Sequence, residues 1–77
     1  MPVKRNPEWP RLDPQALAAA REAAGMSRRA LSRALGASDR YVGRMEEGKF
    51  LPPTERVQQI ADILGVPVGD LMRRPSN

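Results

Sequence analysis

The chain has 77 residues, of which 13 are basic and nine acidic, giving a net charge of +4, and it contains neither cysteine nor histidine. This length suits one small domain, and the composition excludes disulfide bonds and metal sites built from thiolate or imidazole. The basic balance favours an anionic partner, although it also serves solubility. A chain without cysteine fits the reducing cytoplasm. We expect neither a signal peptide nor a membrane span, because no apolar stretch approaches the ~20 residues that a span needs.

The first twelve residues are predicted to form an extended N-terminal arm. They hold three of the eight prolines, which disfavour a helix. Trp9, the only tryptophan, either docks this arm onto the domain or contacts a partner. We expect the folded domain to span residues 13–74, and residues 75–77 to form a C-terminal tail.

The next segments predict two short helices with side-chain caps. Asp13 is suited to be the N-cap of the first helix, since a proline follows at the first helical position, and this helix should run to about Ala24. Ser27 is suited to cap a second helix that runs to Leu35 and stops at Gly36.

Three further helices complete a predicted compact, all-α fold of five helices. The third helix should begin after Ser38 as its cap and end near Glu47. The fourth should be capped by Thr54 and run to Leu64, with apolar residues repeating at the helical period. The fifth is a short turn over residues 68–72. No segment shows the alternation of a strand, so we predict no sheet.

The connection between the second and third predicted helices consists of only Gly36, Ala37 and Ser38. So short a link containing glycine favours the sharp crossing of a helix-turn-helix unit. A generic helical hairpin shares this spacing, so the link alone leaves DNA binding open.

The third predicted helix carries two arginines on its outer face. At about 100° per residue, Val42 and Met45 point toward the core, while Arg40 and Arg44 lie roughly opposite and one turn apart. The guanidinium fork of arginine matches the O6 and N7 edge of guanine in the major groove, and Gly43 between the two arginines leaves room for close approach. This arrangement indicates DNA contact, although an exposed arginine face is often only solvated.

The same helix turns a carboxylate toward the core. Glu46 lies about 40° from the inward direction of the helix, and a carboxylate at the margin of the core needs a partner. Arg21 lies at the core edge of the first helix. We therefore predict an Arg21–Glu46 ion pair that fixes the angle of the third helix. The alternative is that both side chains are exposed and independent.

The stretch "REAAGMSRRALSRALGASDRYVGRMEEGKFLPP", followed by "VQQIADILGV", resembles the lambda-repressor-like, or Cro/C1-type, helix-turn-helix family. The resemblance covers about residues 14–72 and rests on the spacing of the capped helices, the arginine and glutamate of the predicted ion pair, and a proline-bearing loop. It implies a five-helix domain that binds operator DNA, commonly as a dimer, and regulates transcription. It also implies the pairing of Arg21 with Glu46.

The resemblance further implies roles for individual side chains. The start of the third helix and the residue one turn later read bases, while the residue after the cap of the second helix and the loop after the third helix contact the DNA backbone. We expect the base-reading residues to be Asp39, Arg40, Gly43 and Arg44. We expect the phosphate-contacting residues to be Ser27, Arg28, Arg29, Ser38, Tyr41 and Lys49.

Four positions depart from the usual family pattern. Arg28 stands where glutamine is frequent, and Ala30 stands where an acidic residue is frequent, so a capping box is absent. Ser32 replaces a usual alanine of similar size. Asp39, as first residue of the third helix, either favours the helix dipole or accepts a hydrogen bond from a cytosine amino group.

These features favour a sequence-specific, repressor-like regulator of transcription that binds double-stranded DNA as a homodimer on a palindromic site. Leu71 and Met72 are predicted to form the dimer interface, because the core has little room left to cover both. The alternative function is an antitoxin-like or accessory module whose main partner is another protein. We expect no enzymatic activity, cofactor or metal, since the chain lacks a glycine-rich phosphate loop and its carboxylates are scattered. Such a regulator would lie in the cytoplasm, on the nucleoid.

Overall fold

A computed structural model describes residues 11–73, which fold into four α-helices, one 3-10 helix and a two-stranded sheet. In chain order the elements are β1 (Arg11–Leu12), α1 (Pro14–Ala23), α2 (Arg28–Ala34), α3 (Tyr41–Glu46), α4 (Thr54–Leu64), the 3-10 helix (Val68–Leu71) and β2 (Met72–Arg73). The predictions made for residues 1–10, including Trp9, and for the tail at 75–77 lie outside the described residues.

The first two helices begin where the sequence predicts. The Asp13 carboxylate accepts a hydrogen bond from the backbone N–H of Gln15 at 3.0 Å, and proline follows at the first helical position. The Ser27 hydroxyl accepts from the backbone N–H of Ala30 at 2.9 Å. Gly36 then takes φ of +71°, a left-handed conformation that glycine adopts without strain, and so turns the chain toward α3. Both predicted caps are confirmed.

The predicted start of α3 was wrong, because its N-terminal backbone is satisfied from another helix. The helix begins at Tyr41, and no side chain of the preceding turn, including that of Ser38, caps it. Instead, the buried hydroxyl of Ser32 on α2 accepts a hydrogen bond from the backbone N–H of Val42 at 2.9 Å, while it donates to the Arg28 carbonyl at 2.8 Å. The two helices of the turn are therefore joined by a polar contact inside the core.

The start of α4 also differs from the prediction. Thr54 is the first helical residue rather than the cap, and the capping position belongs to Pro53, which makes no side-chain hydrogen bond. The extended backbone of Pro53, with φ of −67° and ψ of 162°, suits a residue that precedes a helix. The C-terminal end at Leu64, followed by left-handed Gly65, is as predicted.

The predicted fifth helix is a single 3-10 turn that leads into a strand. Strand β2 pairs antiparallel with β1, so that Leu12 lies opposite Met72 and Arg11 opposite Arg73. The backbone N–H of Asp13 also donates to the Leu71 carbonyl at 2.8 Å. The expectation of no sheet was wrong, because strands of two residues are too short to show an alternating pattern. This pairing joins the two ends of the described chain.

The core lies where the four α-helices, β1 and the 3-10 helix meet. Its fully or nearly fully buried apolar members are Leu12, Leu17, Leu31, Val42, Met45, Val57, Ile60, Ala61, Leu64 and Leu71. The expectation that Leu71 forms a dimer interface was wrong, because the 3-10 turn directs this side chain into the core of the same molecule, where its exposure is 0%. Met72 is half-buried and packs against that core.

Candidate nucleic-acid interface

The outer side of α3 forms one wall of an open groove. We call it the α3 groove and define it by its lining residues, which are Arg28, Asp39, Arg40, Gly43, Arg44, Glu47 and Lys49, around a volume of about 360 Å³. All four residues that the sequence predicts to read bases border this groove, together with two of the predicted phosphate-contacting residues. The turn between α2 and α3 thus brings one basic surface together from three separate segments.

The cations at the start of α3, within it and in the loop after it are exposed and have no ion-pair partner among residues 11–73. Arg40, Arg44 and Lys49 are exposed to solvent, and none of them has a carboxylate within ion-pairing distance in the described part of the chain. A guanidinium without an internal partner keeps its five N–H donors available for an external acceptor. Arg40 and Arg44 are therefore available to an acceptor in the groove.

The arginines of α2 are held differently. Nε of Arg28 lies 3.0 Å from Oε1 of Glu46, Nε of Arg29 lies 3.1 Å from Oδ2 of Asp39, and Nε of Arg33 lies 3.0 Å from Oδ1 of Asp39. Each of these guanidinium groups is paired with a carboxylate that lies in or just before α3. The three side chains remain more than half exposed, so each pair is accessible to solvent.

Asp39 has a role that the sequence did not predict. It precedes α3 by two residues rather than starting it, which removes the argument from the helix dipole. The hydrogen bond from Arg33, aided by the charge and hydrogen bond of Arg29, lowers the pKa of Asp39 below its usual value. The carboxylate is thus held in its charged form between two arginines. The spacing of Arg29 and Arg33, one helical turn apart, was the signal available in the sequence.

Arg21 and Glu46 form the ion pair that the helical positions predict. Nε of Arg21 donates to Oε2 of Glu46 at 2.6 Å, and Nη2 donates to Oε1 at 3.2 Å, a two-point contact between α1 and α3. Nη1 of Arg21 also donates to the Met26 carbonyl at 2.8 Å. The side chains of Arg21 and Glu46 are only 9% and 3% exposed, so the pair is buried rather than at the margin of the core. The hydrogen bond with Glu46 raises the pKa of Arg21 above its ordinary value, although burial opposes that shift.

A second arginine, Arg56 on α4, supports the turn, and no pattern in the sequence pointed to it. Nη1 of Arg56 donates to the Leu35 carbonyl at 2.9 Å, next to the last turn of α2. Its guanidinium also lies 5.2 Å from the centre of the Tyr41 ring, which in turn lies 5.3 Å from the ring of Phe50. Tyr41, predicted to contact phosphate, therefore has its ring packed within the domain, and its contact with DNA stays a prediction.

The remaining predicted phosphate contacts stay predictions as well. Ser27 and Ser38 are exposed at the start of α2 and in the turn before α3, but neither borders the α3 groove. Among the described residues, no helix is long and apolar enough to cross a membrane, and no cluster of acidic side chains is arranged to hold a metal ion.

Two short helices crossing at a glycine-containing turn, with one exposed arginine just before the second helix and another on its outer face, define a helix-turn-helix domain. A family model described as a helix-turn-helix domain matches residues 15–74, so the chain belongs to this family. The match agrees with the resemblance to lambda-repressor-like proteins. No curated protein and no solved structure matched the chain. Membership of this family points to a DNA-binding regulator.

Proposed function

We propose that this domain is a sequence-specific, repressor-like regulator of transcription that reads the major groove of double-stranded DNA with α3. The observation that carries the proposal is that Arg40, just before α3, and Arg44, on α3, line the α3 groove, are exposed and have no ion-pair partner within residues 11–73. Arginine is suited to bidentate contact with guanine, and the second helix of a helix-turn-helix unit is the one that enters the groove. Such a regulator would act in the cytoplasm, on the nucleoid.

Within the α3 groove, we assign contacts with the bases to residues of α3 and contacts with the DNA backbone to cations on either side of that helix in the chain. Arg44 is our strongest candidate for a guanine contact, and Gly43 lets the DNA approach the helix closely. We assign phosphate contacts to Lys49, in the loop beyond α3, and to Arg28, whose side chain lies beside Gly43, because both line the α3 groove. Arg28 would reach phosphate while its Nε stays on Glu46, because a guanidinium has further donors.

We also propose that two copies bind a palindromic site, with half-sites about 34–36 Å apart. Leu71 is buried within the same molecule, whereas half-buried Met72 stays a candidate for the interface. The large apolar side chains exposed within residues 11–73 are Leu51 and Ile63, at 46% and 37%. Analytical ultracentrifugation with a selected operator counts the protomers. A one-to-one complex that persists in excess protein would refute the dimer but not DNA binding.

A salt series tests the proposed function directly. With Z phosphate contacts, the logarithm of the association constant should fall against the logarithm of salt concentration with a slope near −0.9Z. Fluorescence anisotropy of a labelled duplex gives this slope, and selection from a random library supplies the operator. A flat response, or no binding to any duplex, would contradict the proposal and favour the antitoxin-like or accessory protein-interaction module instead.

A further inference from the structure

The basic surface around the turn is divided into two sets of cations. Arg40, Arg44 and Lys49 have no carboxylate partner in the part of the chain that the structure describes, whereas Arg29 and Arg33 share one. That division is not required by stability, since exposed ion pairs contribute only about 0–1 kcal/mol. The shared carboxylate belongs to Asp39, at the rim of the α3 groove.

The two arginines occupy both oxygens of Asp39. Oδ1 accepts from Nε of Arg33 at 3.0 Å, and Oδ2 lies 3.1 Å from Nε of Arg29 and 3.4 Å from Nη2 of Arg33. The contact with Arg33 is therefore two-pronged. Carboxylate and phosphate oxygens make the same kind of charge-assisted, forked contact with a guanidinium. A DNA phosphate that approaches α2 must therefore compete with Asp39 for the positive charge and for the occupied donors, which are Nε of Arg29 and Nε and Nη2 of Arg33.

We propose that Asp39 is an intramolecular competitor for DNA phosphate at Arg29 and Arg33, and that it thereby lowers the affinity of the domain for DNA of any sequence. This inference rests on the proposed function. Binding without sequence preference depends on phosphate contacts alone, and a genome offers a large excess of such sites. A carboxylate that weakens this term leaves more of the protein free to find its operator. It also makes base contacts by Arg40 and Arg44 a larger share of the binding free energy.

The test replaces Asp39 by asparagine and measures binding to a labelled duplex of random sequence across a salt series. Releasing one arginine for a phosphate contact should steepen the slope by about 0.9 and raise the affinity about five- to tenfold near ~0.1 M salt. Glu47→Gln is the matched control. Glu47 is exposed, borders the same groove and has no ion pair within residues 11–73, so its removal changes the net charge equally without releasing an arginine. This control should give a smaller gain and nearly the wild-type slope. Circular dichroism melts confirm that both variants are folded.

The outcomes separate the inference from the function on which it rests. A larger gain and a steeper slope for Asp39→Asn than for Glu47→Gln support the competitor role. Equal gains for the two variants would show that only general charge matters, and would refute it. A loss of discrimination at one base pair, without any gain on random DNA, would refute it too and assign Asp39 to base reading. In both of these cases DNA binding by the wild type still stands, whereas a wild type that binds no duplex overturns the function and the inference together.

Discussion

Arg21→Ala removes one member of a buried ion pair and should destabilise the domain strongly. Glu46 is 3% exposed, so it cannot replace the lost partner with bulk water. Breaking such a pair from one side costs about 3–5 kcal/mol. We expect the lower end of that range, because Arg28 still contacts Oε1 of Glu46 at 3.0 Å. A chain of this length has a total stability of about 4–12 kcal/mol. The loss is therefore a large fraction of the whole.

Thermal unfolding followed by far-ultraviolet circular dichroism measures this effect. At about 4–8 °C per kcal/mol for a domain of this size, Tm should fall by at least ~12 °C. Arg44→Ala is the control, since it removes an exposed arginine that has no ion pair within residues 11–73 and should change stability by no more than ~0.5 kcal/mol. The double variant Arg21→Met with Glu46→Leu should recover most of the loss, because it buries no uncompensated charge. If Arg21→Ala unfolds at the same temperature as Arg44→Ala, the ion pair does not stabilise the packing of α1 against α3, and the reasoning is refuted.

Three further predictions concern the turn and α3. Ser32→Ala should lower the free energy of unfolding by about 1–3 kcal/mol, because it leaves the backbone N–H of Val42 buried without an acceptor. Ser38→Ala is the control and should lower it far less, because the Ser38 side chain does not cap α3. Equal unfolding temperatures for the two variants would contradict this assignment. Gly43→Ala should stabilise the fold by up to ~1 kcal/mol, since alanine favours a helix and the added methyl group would meet no protein atom closer than 3.6 Å. The same change should weaken operator binding in anisotropy titrations, and undiminished binding would show that DNA does not approach α3 at this residue. Arg44→Lys should keep the salt slope, because lysine keeps the charge, but it should lose about 1–3 kcal/mol of discrimination at one base pair, because lysine lacks the planar fork. Full discrimination in titrations with single-base variants of the operator would refute the guanine contact.

The features that the sequence predicted are those that depend on local chemistry. The caps at Asp13 and Ser27 follow from the first turn of each helix alone. The pairing of Arg21 with Glu46 crosses between helices, but each partner could be placed from the period of its own helix, and a buried charge leaves few choices of partner. The same reasoning predicted that Arg40 and Arg44 are exposed, although Arg40 lies just before α3 rather than within it.

The features that the sequence did not predict are set by contacts between distant segments. The sheet joins β1 at Arg11 to β2 at Arg73, and no local pattern marks it. Leu71 was predicted to lie at a dimer interface on the argument that the core has little room left, whereas the 3-10 turn directs its side chain into the core. Ser32 was considered only by size, so its hydrogen bond to α3 was missed. The position of Asp39 between two arginines likewise depends on the angle at which the turn leaves α2, and the sequence does not reveal that angle.

The short helices of the turn explain why so much of the site lies outside α3. Helices shorter than about 12–15 residues are marginal by themselves in water, and α2 and α3 have only seven and six residues. Their geometry must therefore come from tertiary contacts: Glu46 with Arg21, Ser32 with the α3 backbone, and Arg56 with the end of α2. The direction in which Arg44 points is consequently fixed by residues that are not predicted to touch DNA. Substitutions at those residues should then change base discrimination as well as stability, whereas loss of a phosphate contact such as Lys49 should weaken all sequences alike.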